Sequence, residues 1–130
     1  MNVSHNPTSI APPHKNIYSH AIEVQADTRT LYLSGALGIA KDGTTPDSIE
    51  QQAEIVMENM AAVLASAGMG FADLVKINAY VLKAEHIPTF AGVRARHLKG
   101  LRPAMTTVVV TALAAPAWLI EVDAVAARRD

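Results

Sequence analysis

The chain contains no cysteine. That absence removes a disulfide framework, a thiolate zinc site and a cysteine nucleophile together, and it suits a reducing cytoplasm. Aromatic residues are scarce at 5%. No run approaches the roughly 18 apolar residues that a membrane span requires, so no membrane partner is expected. Neither sign of charge dominates: 11 basic residues face 12 acidic ones, for a formal net charge of −1. Nothing in that balance builds a positive field for a polyphosphate, and no nucleic-acid partner is expected. The first residues, Met1-Asn2-Val3-Ser4-His5-Asn6-Pro7, lack the basic and apolar regions of a secretory signal, which points to a soluble cytoplasmic protein. His5, His14, His20, His86 and His97 show no metal-ligand spacing, and there is neither a glycine-rich phosphate loop nor a nucleophile elbow.

What is present is 130 residues, half of them hydrophobic and 18% charged. That is enough for one domain with one core, spanning 1–130. Residues 1–15, with Pro7, Pro12 and Pro13, read as an irregular lead-in. Rough alternation from Ile17 to Val24 predicts a strand, and Ala26-Asp27-Thr28-Arg29 a turn. A second strand, Thr30 to Leu33, runs into Ser34-Gly35, and Gly38 to Pro46 forms a loop around Asp42-Gly43.

Asp47-Ser48-Ile49-Glu50 has capping-box spacing with Asp47 as N-cap. Ile49, Ala53, Val56, Met60, Val63, Leu64 and Ala67 then share one helical face, with Glu50, Glu54 and Glu58 opposite and Gly68 closing the helix. Leu74 to Leu82 is a strand, with Val75, Ile77, Ala79 and Val81 on one face. Pro88 suits the first turn of a second helix ending near Gly100. Its apolar stripe is Ile87, Phe90, Ala91 and Leu98, and Arg94 sits within that stripe, a poor place for a solvated charge. Two strands close the chain, Ala104 to Thr111 and Trp118 to Ala126.

The resulting order, β-β-α-β-α-β-β, defines an α+β fold with two helices on one face of a sheet. Ala104 to Thr111 is fairly apolar on both faces, so the open side of the sheet is expected to meet another copy of the chain. The pattern does not fix the symmetry of that assembly.

Particular residues now gather into a resemblance. Tyr18-Ser19-His20-Ala21 precedes a strand ending Leu33-Ser34-Gly35. Then come the helix from Gln52 to Ala67 and the run Ala67-Gly68-Met69-Gly70-Phe71-Ala72-Asp73-Leu74-Val75-Lys76. Phe90-Ala91-Gly92-Val93, Arg102-Pro103-Ala104 and Ile120-Glu121-Val122-Asp123-Ala124 follow in order. From about residue 14 onward the chain resembles the reactive-intermediate deaminase (Rid, YjgF-like) family. The resemblance implies a chorismate-mutase-like fold and a homotrimer with clefts at its subunit interfaces. It also implies hydrolysis of reactive imines and enamines to keto acids and ammonia, without metal or organic cofactor.

Carried over residue by residue, the resemblance makes Glu121 the acidic group that orients or activates water and Tyr18 a cleft-lining phenol. Both are catalytic candidates. Ser34 and Gly35 match a pair at the cleft floor, and Thr107 a position whose backbone meets the ligand carboxylate. The family's carboxylate-gripping arginine falls on Met105, so the chain resembles an arginine-less branch. A thioether offers packing without charge. Losing a charged hydrogen bond forfeits about 1.5–3 kcal/mol, or roughly tenfold to more than a hundredfold in rate or affinity. Arg94 is the residue expected to supply the missing charge, against the alternative of a salt bridge between subunits. Glu121 and Tyr18 are equally open to plainer readings as a solvated strand carboxylate and an ordinary strand tyrosine. Arg102 reads as surface, His20 as a neighbour of the cleft and His97 as a packing residue.

Two functions follow. One is an enzyme acting on an unstable carboxylate-type metabolite. The other is a binding or sensor trimer whose clefts hold such a ligand without turnover, which Met105 favours. An endoribonuclease reading, sometimes attached to relatives, is opposed by the balanced charge and the lack of an RNA-binding motif.

Overall fold

A computed structural model describes residues 2–130; Met1, the first residue of the expected lead-in, lies outside them. The lead-in is more ordered than its prolines imply. A short strand, β1 (Val3–His5), pairs antiparallel with β2 (Ala21–Glu23) as a two-stranded ribbon. The strand expected over Ile17–Val24 therefore shrinks to three residues and joins this ribbon rather than the main sheet. The reason is local. The Arg102 guanidinium donates to the Tyr18 carbonyl at 3.0 and 3.2 Å, and the Ser19 hydroxyl donates to the Arg102 carbonyl. These bonds hold Tyr18 and Ser19 as a strap against the Arg102 turn, out of reach of a sheet ladder.

The rest of the chain runs β3 (Arg29–Leu37), α1 (Ile49–Ser66), β4 (Leu74–Val81), α2 (His86–Leu98), β5 (Ala104–Val109) and β6 (Ile120–Arg128). The four strands form one mixed sheet in the order β3-β6-β4-β5. β6 runs antiparallel to both its neighbours, while β4 and β5 are parallel and joined through α2. The α+β class with two helices on one face is observed as expected. Strand limits differ by a few residues: β3 extends to Leu37, β5 stops at Val109, and β6 begins at Ile120 and continues to Arg128.

α1 starts one residue later than the capping-box reading requires. Ser48, not Asp47, is the N-cap, and its hydroxyl accepts from the Gln51 amide at 3.1 Å. Gly68 closes the helix as expected, at φ 70°, where a side chain would be strained. Ala53, Val56, Met60 and Leu64 are buried as the spacing predicts, joined by Met57 and Gln52. Val63 is 47% exposed, because it lies beyond edge strand β3, beside Tyr32 and Ser34.

Gln52 is fully buried and fully bonded. Its Nε2 donates to the carbonyls of Pro46 and Ala117 at 2.8 and 2.9 Å, and its Oε1 accepts from the Leu119 amide at 2.9 Å. One amide thus fastens α1 to two loops, leaving no buried polar group unmatched there.

α1 residues pack with Phe90, Val93 and Leu98 of α2 against Leu33, Ile77, Ala79, Val81, Ile120, Val122 and Ala124 of the sheet. Burying Phe90 alone is worth about 1.5–3 kcal/mol. The opposite face is less apolar than expected. Asp123 there accepts from Asn78 Nδ2 at 2.8 Å and from the Tyr80 hydroxyl at 3.1 Å, and Lys76 donates to Thr106 at 2.9 Å. Tyr32, 78% exposed, and Val108 share its apolar part with Val125 and Leu37.

Candidate functional site

β5 is an edge strand, and its register pairs Met105 with Ile77 and Thr107 with Ala79. Both partners are buried under the helices, so Met105 and Thr107 face the helix side of the sheet. α2 runs over that side, and the Tyr18 strap closes it from the N-terminal direction. The three elements enclose a cleft of about 510 Å³ lined by Tyr18, Arg94, Met105 and Thr107, among others. Four residues singled out from sequence therefore meet in one place.

Arg94 is the cleft's buried charge; Lys15, an exposed cation, lines it as well. Arg94 is only 6% exposed, at a position that the α2 stripe turns inward. Its guanidinium stacks over the Phe90 ring at 5.1 Å, a contact that attracts a cation without neutralising it. Among the described residues no carboxylate pairs with it, and burial alone pulls its pKa below the ordinary arginine value. The pairing expected as the alternative joins two subunits, and a single subunit neither contains nor excludes it.

Ser34, Gly35 and Glu121 gather elsewhere. Leu33 pairs with Ala124 and Ala36 with Val122, so Ser34 and Gly35 together oppose a single β6 residue, making a bulge in β3. A Cβ built on Gly35 would overlap the Glu121 carboxyl group, so that carboxylate lies directly on the glycine backbone. Glu121 pairs with Tyr80, which pairs with Val108. That row belongs to the open face of the sheet. In a single subunit the Glu121 cluster and the Arg94 cleft therefore lie on opposite faces.

The open face also holds a group that sequence reasoning passed over. The Asp123 carboxylate, accepting its hydroxyl, pushes the Tyr80 phenol above the ordinary tyrosine range, with a smaller push from Glu121. The alternation of β4 already placed Tyr80 on that face, but nothing in one strand reveals which β6 residue stands beside it.

Arg102 is not the free surface group expected, since it ties the Tyr18 strap in place. His20 bonds the Ala11 carbonyl at 2.8 Å and meets the Tyr18 ring edge-on, centroids 6.2 Å apart, without lining the cleft. His97 bonds Glu54 at 2.8 Å and packs edge-on to Phe71, as a packing residue should. No helix among the described residues is long and apolar enough to cross a membrane.

Two helices on one face of a mixed four-stranded sheet, with a cleft between helix and edge strand, define a chorismate-mutase-like α+β protein. Residues 8–128 match the family described as Endoribonuclease L-PSP. The chain belongs to that family, also known as the YjgF/Rid family. It is 32% identical over 122 residues to Protein HMF1 of Saccharomyces cerevisiae, covering 92% of this chain and 91% of the relative. It is 28% identical over 121 residues to the 2-iminobutanoate/2-iminopropanoate deaminase of Rattus norvegicus, covering 92% and 85% respectively. The crystal structure of YyfB from Yersinia pestis, a Rid-family protein of unknown function, superposes with a TM-score of 0.84 at 31% identity, covering 96% of this chain and 97% of that one.

Proposed function

We propose that the cleft binds a small carboxylate-type metabolite, with Arg94 as the group that holds the carboxylate. The observation that carries this reading is a buried guanidinium with an aromatic ring beside it and no anion paired to it. A buried charge without a partner is costly, and a ligand carboxylate would relieve that cost through a forked pair of charged hydrogen bonds. In this reading the protein is a homotrimer. The open sheet face of one copy, carrying Ser34, Gly35 and Glu121, meets the cleft of its neighbour. Glu121 then orients water toward an imine or enamine carbon, Tyr18 hydrogen-bonds the developing charge, and the products are a keto acid and ammonia. The deaminase named among the relatives supports this chemistry.

Ammonia release from freshly generated 2-aminoacrylate tests it. The wild-type chain should release ammonia above the uncatalysed rate, and Glu121→Gln and Arg94→Ala should each reduce that release by tenfold or more.

A second reading is favoured by Met105, which stands where the resemblance places a carboxylate-gripping arginine. In that case the trimer binds its ligand without turning it over. Thermal stabilisation by 2-keto acids, lost in Arg94→Ala and accompanied by no ammonia release, would establish the binding module and exclude the hydrolase.

A further inference from the structure

Beyond Arg94 lies a second cavity, of about 350 Å³, that the proposed chemistry does not use. Lys15, Ile17, Ala91 and Arg94 line both hollows and so stand between them. The rest of its wall comes from the C-terminal half of α2 and from the turn at 100–102. Its charge is one-sided. Lys15, Arg94 and Arg102 line it, and no acidic side chain does. Elsewhere the chain balances its arginines: Arg29 pairs with Asp130, Arg96 with Glu54 and Arg128 with Asp73. Among the described residues none of the three cations around this cavity has a carboxylate partner. Arg102 is also held in place, because its Nε and Nη2 bond the Tyr18 carbonyl and leave Nη1 for another acceptor. The remaining wall is apolar. Leu98 is buried there, whereas Ile17 and Leu101, 39% and 38% exposed, are large apolar side chains left in water beside the cations.

We infer that this outer cavity is a binding site for an amphipathic organic anion, one carboxylate on a compact apolar body. The carboxylate takes the side formed by Arg94, Arg102 and Lys15, where forked and charged hydrogen bonds are on offer. The apolar body covers Ile17, Leu98 and Leu101 and removes their surface from water. The volume lies at the small end of ligand cavities, which favours a medium-chain or arylalkyl acid over a long-chain one. A neutral molecule of the same shape leaves the cations unpaired, and a small anion leaves the apolar wall wet. The site does not depend on what the cleft holds or on whether the cleft turns it over.

The experiment is titration of the intact protein with octanoate, hydrocinnamate, acetate and octanamide, followed by calorimetry and by amide chemical shifts. Octanoate or hydrocinnamate should saturate the site about tenfold or more tighter than octanamide, which lacks the charge. The same margin is expected over acetate, which lacks the apolar body. Whichever of the two acids binds tighter tells an alkyl chain from a ring. The amides of Gly92, Gly100 and Leu101, which line this cavity and not the cleft, should shift, while those of Met105 and Thr107, which line only the cleft, stay. Leu101→Glu sets an anion on the wall and should weaken binding by about tenfold or more. Should that variant fail to fold, Ala95→Glu, at an exposed position of α2 on the same cavity, should do so instead. Shifts confined to Met105 and Thr107, octanamide binding as tightly as octanoate, affinity unchanged by either glutamate, or no saturable binding would each overturn the site. Pyruvate, read at Met105 and Thr107, reports on the cleft separately, so either site can fail without the other.

Discussion

Gln52 and Arg94 are both buried polar side chains, and the fold treats them in opposite ways. The Gln52 amide meets three backbone partners, whereas the Arg94 guanidinium meets a ring and an open cleft. Gln52→Ala strands two carbonyls and an amide in the interior and leaves a void, so it should cost roughly 2–5 kcal/mol, read from the denaturant midpoint. Arg94→Met should do the reverse, leaving stability unchanged or raising it by about 1 kcal/mol while ligand binding disappears. Gly35→Ala forces the Glu121 carboxylate off the bulge. Because what yields is the far end of a flexible side chain, stability should fall by only about 0.5 kcal/mol, with any hydrolytic activity falling further than that loss explains. Arg94 was legible in the sequence because a charge inside a 3.6-residue apolar stripe is conspicuous. Gln52 was not, since a glutamine on a helix looks the same whether it faces water or three buried backbone groups.

At the level of elements, the helices could be read more fully than the strands. Ala53, Val56, Met60 and Leu64 recur at a spacing that only a helix satisfies. By contrast β1 and β2 are exposed on nearly every residue and carry no pattern to read. Capping was legible only to within a residue, because Asp47 and Ser48 offer the same chemistry and the chain direction decides between them. Ser48→Ala should therefore destabilise α1 by about 1 kcal/mol and Asp47→Ala by less than about 0.5 kcal/mol, measured by thermal or chemical unfolding. Between the helices, Glu54 bonds Arg96 and His97, with Arg96 the larger influence, and its pKa is held below the ordinary glutamate value. A carboxylate depressed on folding stabilises above its unfolded pKa, near about 4.3, and loses that contribution as the pH falls through the lower folded value. The advantage of wild type over Glu54→Gln, roughly 0.5–1 kcal/mol for a partly exposed pair, should be whole at pH 7 and gone in strong acid.

For the molecule as a whole, sedimentation should give three times the 13.8 kDa chain mass. Val108→Glu, which sets a charge on the open sheet face, should return it to monomers. Alternation within a strand tells which residues share a face but not which strands are neighbours, so the separation of Glu121 from Arg94 was invisible until β6 was seen between β3 and β4. That insertion also governs how the protein comes together. β3 touches no other strand of the sheet, and its register joins Arg29 to Arg128, across most of the chain. Few local contacts reward its formation before that long loop closes. β3 and β6 should gain amide-exchange protection in the same kinetic phase, late in refolding, and lose it together when the native state opens. The bulge holding Ser34 and Gly35 then exists only in molecules whose final strand has docked, so a partly folded intermediate carries no trace of that half of the site.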